Sequence, residues 1–178
     1  PQLVDLGVGR TAVSVSLGHY HTCAILDDGG LKCWGYGAFG QLGLGIGYDH
    51  NTPQLVDLGF GRTAVSVSLS SNTNAGHSCA ILDDGSLKCW GYNNYGQLGL
   101  GNNLNILKEP MRLESSIVQT PINISLGYQH TCAITDFESL FCWGDNTRGQ
   151  LGIGTSGYNT NGFDTNQNTP PVVDIGVG

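Results

Sequence analysis

The stretch HTCAILDDGGLKCWG at residues 21–35 returns as HSCAILDDGSLKCWG at 77–91 and, more loosely, as HTCAITDFESLFCWG at 130–144. Each copy sets two short apolar runs on either side of a turn cluster, Asp27, Asp28, Gly29 and Gly30 in the first, which is the pattern of a β-hairpin. Self-similarity at a period of a little over fifty residues marks an array whose units cannot bury their faces alone.

Upstream of the hairpin lies AVSVSL, at 12–17 and again at 64–69. Val13, Val15 and Leu17 alternate with Ser14 and Ser16, the period of two that puts one set of side chains on each strand face. Small serines on the second face suit a sheet covered on both sides. Further upstream PQLVDLG stands at 1–7 and 53–59, and residues 3–6 read as a fourth strand of the unit. Downstream of each CWG comes a glycine-punctuated loop: YGAFGQLGLG at 36–45, YNNYGQLGLG at 92–101 and DNTRGQLGIG at 145–154. The units are 1–52, 53–109 and 110–170, and PVVDIGVG in the tail 171–178 opens a further one. The expected fold is all-β: three four-stranded antiparallel blades cut from a longer propeller or repeat array.

Composition agrees with short strands joined by tight turns, since 28 of the 178 residues are glycine and only 12% are charged. With 14 acidic against 7 basic residues the formal net charge is −7, which leaves no basic field for a nucleic acid partner. No run of about 18 apolar residues occurs, so no membrane insertion is expected of this segment, and any targeting signal would lie outside it.

The combination of a glycine before the histidine, the DG hairpin, the L-x-C-W-G strand and the GQLG loop resembles the regulator of chromosome condensation repeat, over essentially the whole chain. The resemblance implies a ring of about seven four-stranded blades whose loops form two faces for protein contacts. Three blades do not close such a ring; the chain reads as a fragment, with assembly from several chains or an open superhelix as the other ways to cover its ends. Members of the family include an exchange factor for a small nuclear GTPase, a plant UV-B photoreceptor, a secreted inhibitor of β-lactamase, and scaffolds, so the fold chooses no function by itself.

All six cysteines fall in one pattern: Cys23 with Cys33, Cys79 with Cys89, and Cys132 with Cys142. A three-residue loop over Asp27, Asp28 and Gly29 places Cys23 opposite Cys33, close enough for a bridge. The same holds for Asp83, Asp84 and Gly85, and less securely for Asp136, Phe137 and Glu138, where the glycine is missing. Three disulfides are expected, and with them a secreted, lumenal or cell-surface setting. The other reading is six thiols packed as small hydrophobes. Zinc fits poorly, because nine residues separate the cysteines of each pair.

His21, His77 and His130, and Trp34, Trp90 and Trp143, recur in repeat register and are read as structural. No catalytic residue is assigned, because nothing unique surrounds any one histidine, and no cofactor or metal is implied. Asp27 with Asp28 and Asp83 with Asp84 could join a calcium site only with further oxygen ligands; a hairpin turn is the plainer reading. Asn123, Ile124 and Ser125 form a glycosylation sequon, but Asn123 matches Ser14 and should be covered by a neighbouring blade and unmodified. The units differ at the insertion 71–75, the linker 102–119 and the polar loop 155–169, the places where partners usually bind a rigid array. The function expected is a non-enzymatic extracellular module, a scaffold or protein-binding propeller contacting other proteins or its own copies. The alternative is a regulatory propeller, a guanine-nucleotide exchange factor or an enzyme inhibitor.

Overall fold

The computed structural model describes residues 2–73, 75–101, 106–112, 119–157 and 172–174. Among them there is no helix, and eleven strands run in three antiparallel sheets. The first sheet is β1 (Ala12–Leu17), β2 (His21–Leu26), β3 (Leu31–Gly35) and β4 (His50–Leu55), in that order. The second repeats it with β5 (Ala64–Leu69), β6 (His77–Leu82), β7 (Leu87–Tyr92) and β8 (Ile106–Arg112). The third holds β9 (Pro121–Leu126), β10 (His130–Thr135) and β11 (Leu140–Gly144). Its outer position is marked by a single bridge from Val172 to Phe141, and Val173 N–H donates to Leu140 O at 2.8 Å as Val56 N–H does to Leu31 O at 2.9 Å. Among the described residues the third sheet has three strands, with this bridge at its outer edge.

The outer strand also corrects the assignment of residues 3–6. That stretch forms no strand, and Leu3 stands in solvent; of its copy at 55–58, Leu55 ends β4 on the far edge of the first sheet and Val56 N–H continues onto Leu31 O. The second PQLVDLG therefore adds its first residues to the hairpin that precedes it in sequence. Pro53 and Pro110 suit this edge, where a missing N–H breaks no inner ladder bond.

The central hairpins have the expected register. Leu26 N–H donates to Gly30 O at 2.8 Å and Gly29 takes φ +78°, the left-handed residue that ends a three-residue hairpin loop. The third hairpin closes the same way, Thr135 N–H on Ser139 O at 3.0 Å, with Glu138 forced to φ +60°. A side chain there costs about 1 kcal/mol over glycine in that conformation. Glu138→Gly should therefore stabilise the chain by about 0.5–1 kcal/mol, read as a higher midpoint in chemical denaturation.

Between sheets, the core follows one rule. The Cys23, Ile25, Leu31 and Cys33 face of the first blade packs on Ala64, Leu69, Ala80, Leu82 and Trp90 of the second. Cys79, Ile81, Leu87 and Cys89 of the second pack in turn on Ile124, Ala133, Phe141 and Trp143 of the third. Among the described residues only the middle blade is covered on both faces. The alternation in AVSVSL is shifted by a β-bulge: Ala12 pairs with Leu26 and Ser14 with Ile25, which leaves Val13 as the extra residue. The same bulge turns Val65 out to solvent at 64% exposure even in the middle blade, so Ala64, Val67 and Leu69, not Val65, supply the core.

Candidate functional site

The repeated side chains converge on a latch that joins each blade to the next. Ser78 Oγ donates to Gln41 O at 2.8 Å, and the same carbonyl accepts Trp90 Nε1–H at 2.9 Å. His21 Nε2 lies 3.0 Å from Ser78 Oγ. The pattern recurs one unit on: Thr131 Oγ1 and Trp143 Nε1–H both donate to Gln97 O, and His77 Nε2 lies 2.9 Å from Thr131 Oγ1. The GQLG loop of one unit thus crosses to the following blade and is held there by its backbone. The glutamine side chains hold the loop itself, Gln41 Oε1 accepting from Phe39 N–H and Gln97 Oε1 from Tyr95 N–H.

The latch fixes the state of the histidines. Each hydroxyl has one proton, and it points at the glutamine carbonyl. His21 and His77 must therefore donate from Nε2–H and carry the lone pair on Nδ1. Protonation would add an N–H at Nδ1, where His77 has no hydrogen-bond partner. Burial lowers the His21 pKa to about 4 and, with repulsion from His21 and His130, that of His77 to about 3. Burial lowers that of His130 as well, against an opposing pull from Asp145.

A pH dependence follows from these depressed values. Above the unfolded histidine value of about 6.5 neither state binds the protons and stability is full; as pH falls below it the unfolded chain takes them up and the native chain does not. Stability should decline from about pH 6.5 toward pH 4, by up to about 1.4 kcal/mol per pH unit for each buried histidine. His77→Gln should remove one proton from that slope, measured by denaturation at a series of pH values.

The glycine before each first and third histidine has a steric reason. A methyl group on Gly18 would lie 2.4 Å from the His21 ring, and one on Gly127 would lie 2.1 Å from the His130 ring. In the second unit Ser70 takes this place and its Oγ accepts His77 N–H at 2.8 Å. The insertion that follows is occupied: Asn72 Nδ2 donates to Tyr128 O, and Thr73 Oγ1 meets the Tyr128 hydroxyl at 3.2 Å. Of the other divergent stretches, 106–112 is β8, while 102–105, 113–118 and 158–171 lie outside the described residues.

The three disulfides sit beside the latch. Cys23–Cys33, Cys79–Cys89 and Cys132–Cys142 each join directly opposed residues of a hairpin with Cα atoms 4.1 Å apart, the spacing of a non-hydrogen-bonded pair. Trp90 and Trp143 are fully buried, whereas Trp34 is half-buried in a groove beside Lys32 and Asn51. Asp27 accepts Thr11 N–H, and Arg10 bridges Asp27 and Asp28 at 3.5 and 3.0 Å. Arg62 does the same for Asp83 and Asp84, so these carboxylates tie the hairpin turn to the preceding loop. Asn123 is exposed, on the face of the third sheet that carries Ile134 and Ser125, rather than covered as expected. Among the described residues no three His, Cys, Asp or Glu side chains group as metal ligands. The recurring carbonyl acceptors escaped sequence reasoning because a backbone oxygen has no letter; the only trace was the hydroxyl after each buried histidine.

The regulator of chromosome condensation (RCC1) repeat model matches residues 84–134 and 138–178, and a second model of the same repeat matches 12–41, 65–97 and 122–150. The chain belongs to the RCC1 repeat family. Its sheets are blades of that family's β-propeller. It is 36% identical over 158 residues to the ultraviolet-B receptor UVR8 of Arabidopsis thaliana, covering 88% of this chain and 34% of the receptor. It is 30% identical over 161 residues to the human E3 ubiquitin-protein ligase HERC2, covering 89% of this chain and 3% of the ligase. Yeast RCC1 (Prp20), solved bound to Kap60, superposes with a TM-score of 0.71 at 18% identity over 91% of this chain and 37% of that one. The RCC1 repeats here thus span about a third of the receptor and a small part of the ligase. No helix among the described residues is long and apolar enough to cross a membrane.

Proposed function

We propose that this RCC1 array is a non-enzymatic protein-binding module of an extracellular or cell-surface protein, stapled by one disulfide per blade. The observation that carries the reading is the bridge itself, repeated in register in every hairpin and buried against the following blade in the first two. Bridges that persist belong to an oxidising compartment. The latch uses the buried histidines, hydroxyls and tryptophans for blade-to-blade packing. That leaves the loop rims as the surface on which a partner would dock. Yeast RCC1, of the same fold, was solved bound to a protein, Kap60, which is in keeping with a protein partner.

The test is surface labelling of intact cells with a membrane-impermeant biotin reagent, followed by cross-linking of the full-length protein in place. Biotinylation, with cross-links from the blade loops to other proteins or to second copies, is the expected result. Detection only in cytosol or nucleus would overturn the extracellular reading and favour a regulatory propeller.

A further inference from the structure

A row of aromatic rings runs along one rim of the first two blades. His19 packs edge-on against Tyr20, and Tyr20, Tyr36, Phe39 and Tyr92 follow with ring centroids 6.2, 6.2 and 5.5 Å apart. Successive rings are inclined by 76°, 64° and 80°, so each ring edge rests on the face of the next and the row presents inclined ring surfaces in sequence. Tyr20 is 59% exposed, and Tyr36, Phe39 and Tyr92 are partly exposed. These rings lie outside both core clusters. The row crosses from the first repeat to the second through Phe39 and Tyr92. Tyr36 and Phe39 align with Tyr92 and Tyr95 in the second copy, but with Asp145 and Arg148 in the third, where the aromatic character ends.

We propose that this row docks an extended proline-rich segment of another protein, with basic residues among its prolines. The proposal rests on the protein-binding reading above and names its partner. A polyproline II strand rises about 3.1 Å per residue, so a two-residue X-Pro step spans about 6.2 Å, which matches the spacing of the rings. Pyrrolidine rings pack on the exposed parts of aromatic rings, and such a strand leaves its carbonyls free for donors. The phenols of Tyr20 and Tyr36 supply them; that of Tyr92 accepts from Asn94 Nδ2 at 2.6 Å and keeps its own proton to donate. The rings carry no formal charge in a chain of net charge −7, so the long-range field favours a cationic segment.

The experiment titrates the protein with a Lys-Pro-Pro repeat peptide and follows the tyrosine ring resonances by NMR, using a Lys-Gly-Ser repeat of equal length and charge as control. Shifts confined to Tyr20, Tyr36, Tyr92 and Tyr95 with the proline peptide alone are expected. Phe39→Ala should weaken binding about tenfold, while Phe60→Ala, a fully exposed ring outside the row, should leave it unchanged. Equal binding of both peptides, no binding, shifts away from the row, or a row that responds only to a neutral oligosaccharide such as cellohexaose would overturn the proposal. If Phe39→Ala fails to fold, the wild-type shifts decide. Cross-links from other loops without a response of these rings would sink this inference and leave the protein-binding reading standing.

Discussion

Replacing Cys79 and Cys89 together by alanine should lower unfolding stability by about 2–4 kcal/mol, seen as an earlier midpoint in denaturation with the flanking bridges intact. Two costs combine. The bridge closes a short loop in the unfolded chain, worth roughly 3 kcal/mol in the chain-entropy view. The sulfurs also fill the interface with the third blade, beside Leu98, Ile124 and Trp143, and alanines would leave a void. The pair Cys132 and Cys142 supplies the contrast, since among the described residues no further sheet packs on that face of the third one and Ile134 beside it is 41% exposed. Its replacement should show the loop cost with little of the packing cost, and so a smaller loss.

Gly91→Ala should cost about 3–5 kcal/mol, toward the high end for a single methyl group. Gly91 has φ +105°, and its added Cβ would lie 2.7 Å from Gly76 O, 2.9 Å from His77 Cα and 3.3 Å from Gln41 Cα. The first two atoms belong to the neighbouring strand region and the third to the loop latched from the previous blade. None of them is a flexible side-chain end, so relief requires moving the hairpin or the latch. Gly61→Ala is the control: φ is +69° and nothing lies within 4 Å of the added carbon. It should cost about 1 kcal/mol, the left-handed conformation alone, and the difference between the two variants measures the close approach of loop to blade.

Much of this architecture was legible in the sequence because repetition separates structural constraint from chance. The hairpin register needed only the three-residue turn, and the opposed cysteines followed from it; Gly29 at φ +78° is the turn that the DDG cluster asked for. What was not legible depended on partners distant in sequence. The outer strand was assigned to the wrong hairpin because PQLVDLG stands beside AVSVSL in sequence, while its hydrogen bonds run back to β3. The strict alternation read for Val13, Val15 and Leu17 has no mark for a bulge; only the pairing of Ala12 and Ser14 with Leu26 and Ile25 shows Val13 as the extra residue. The expectation for Asn123 assumed a covering blade, and the face it shares with Ile134 is open in this chain. The aromatic row passed unread because its rings lie in two different loop types that the fold brings onto one rim.

The central claim is that every blade is closed by its own bridge in the protein as it exists in the cell. The direct test is to block free thiols with an alkylating reagent at the moment of lysis, digest the full-length protein without reduction, and identify the cysteine peptides by mass spectrometry. The account predicts three linked pairs, Cys23 with Cys33, Cys79 with Cys89 and Cys132 with Cys142, and no alkylated cysteine among the six. Alkylated thiols at these positions, or links between different hairpins, would contradict it and with it the oxidising compartment on which the proposed function depends.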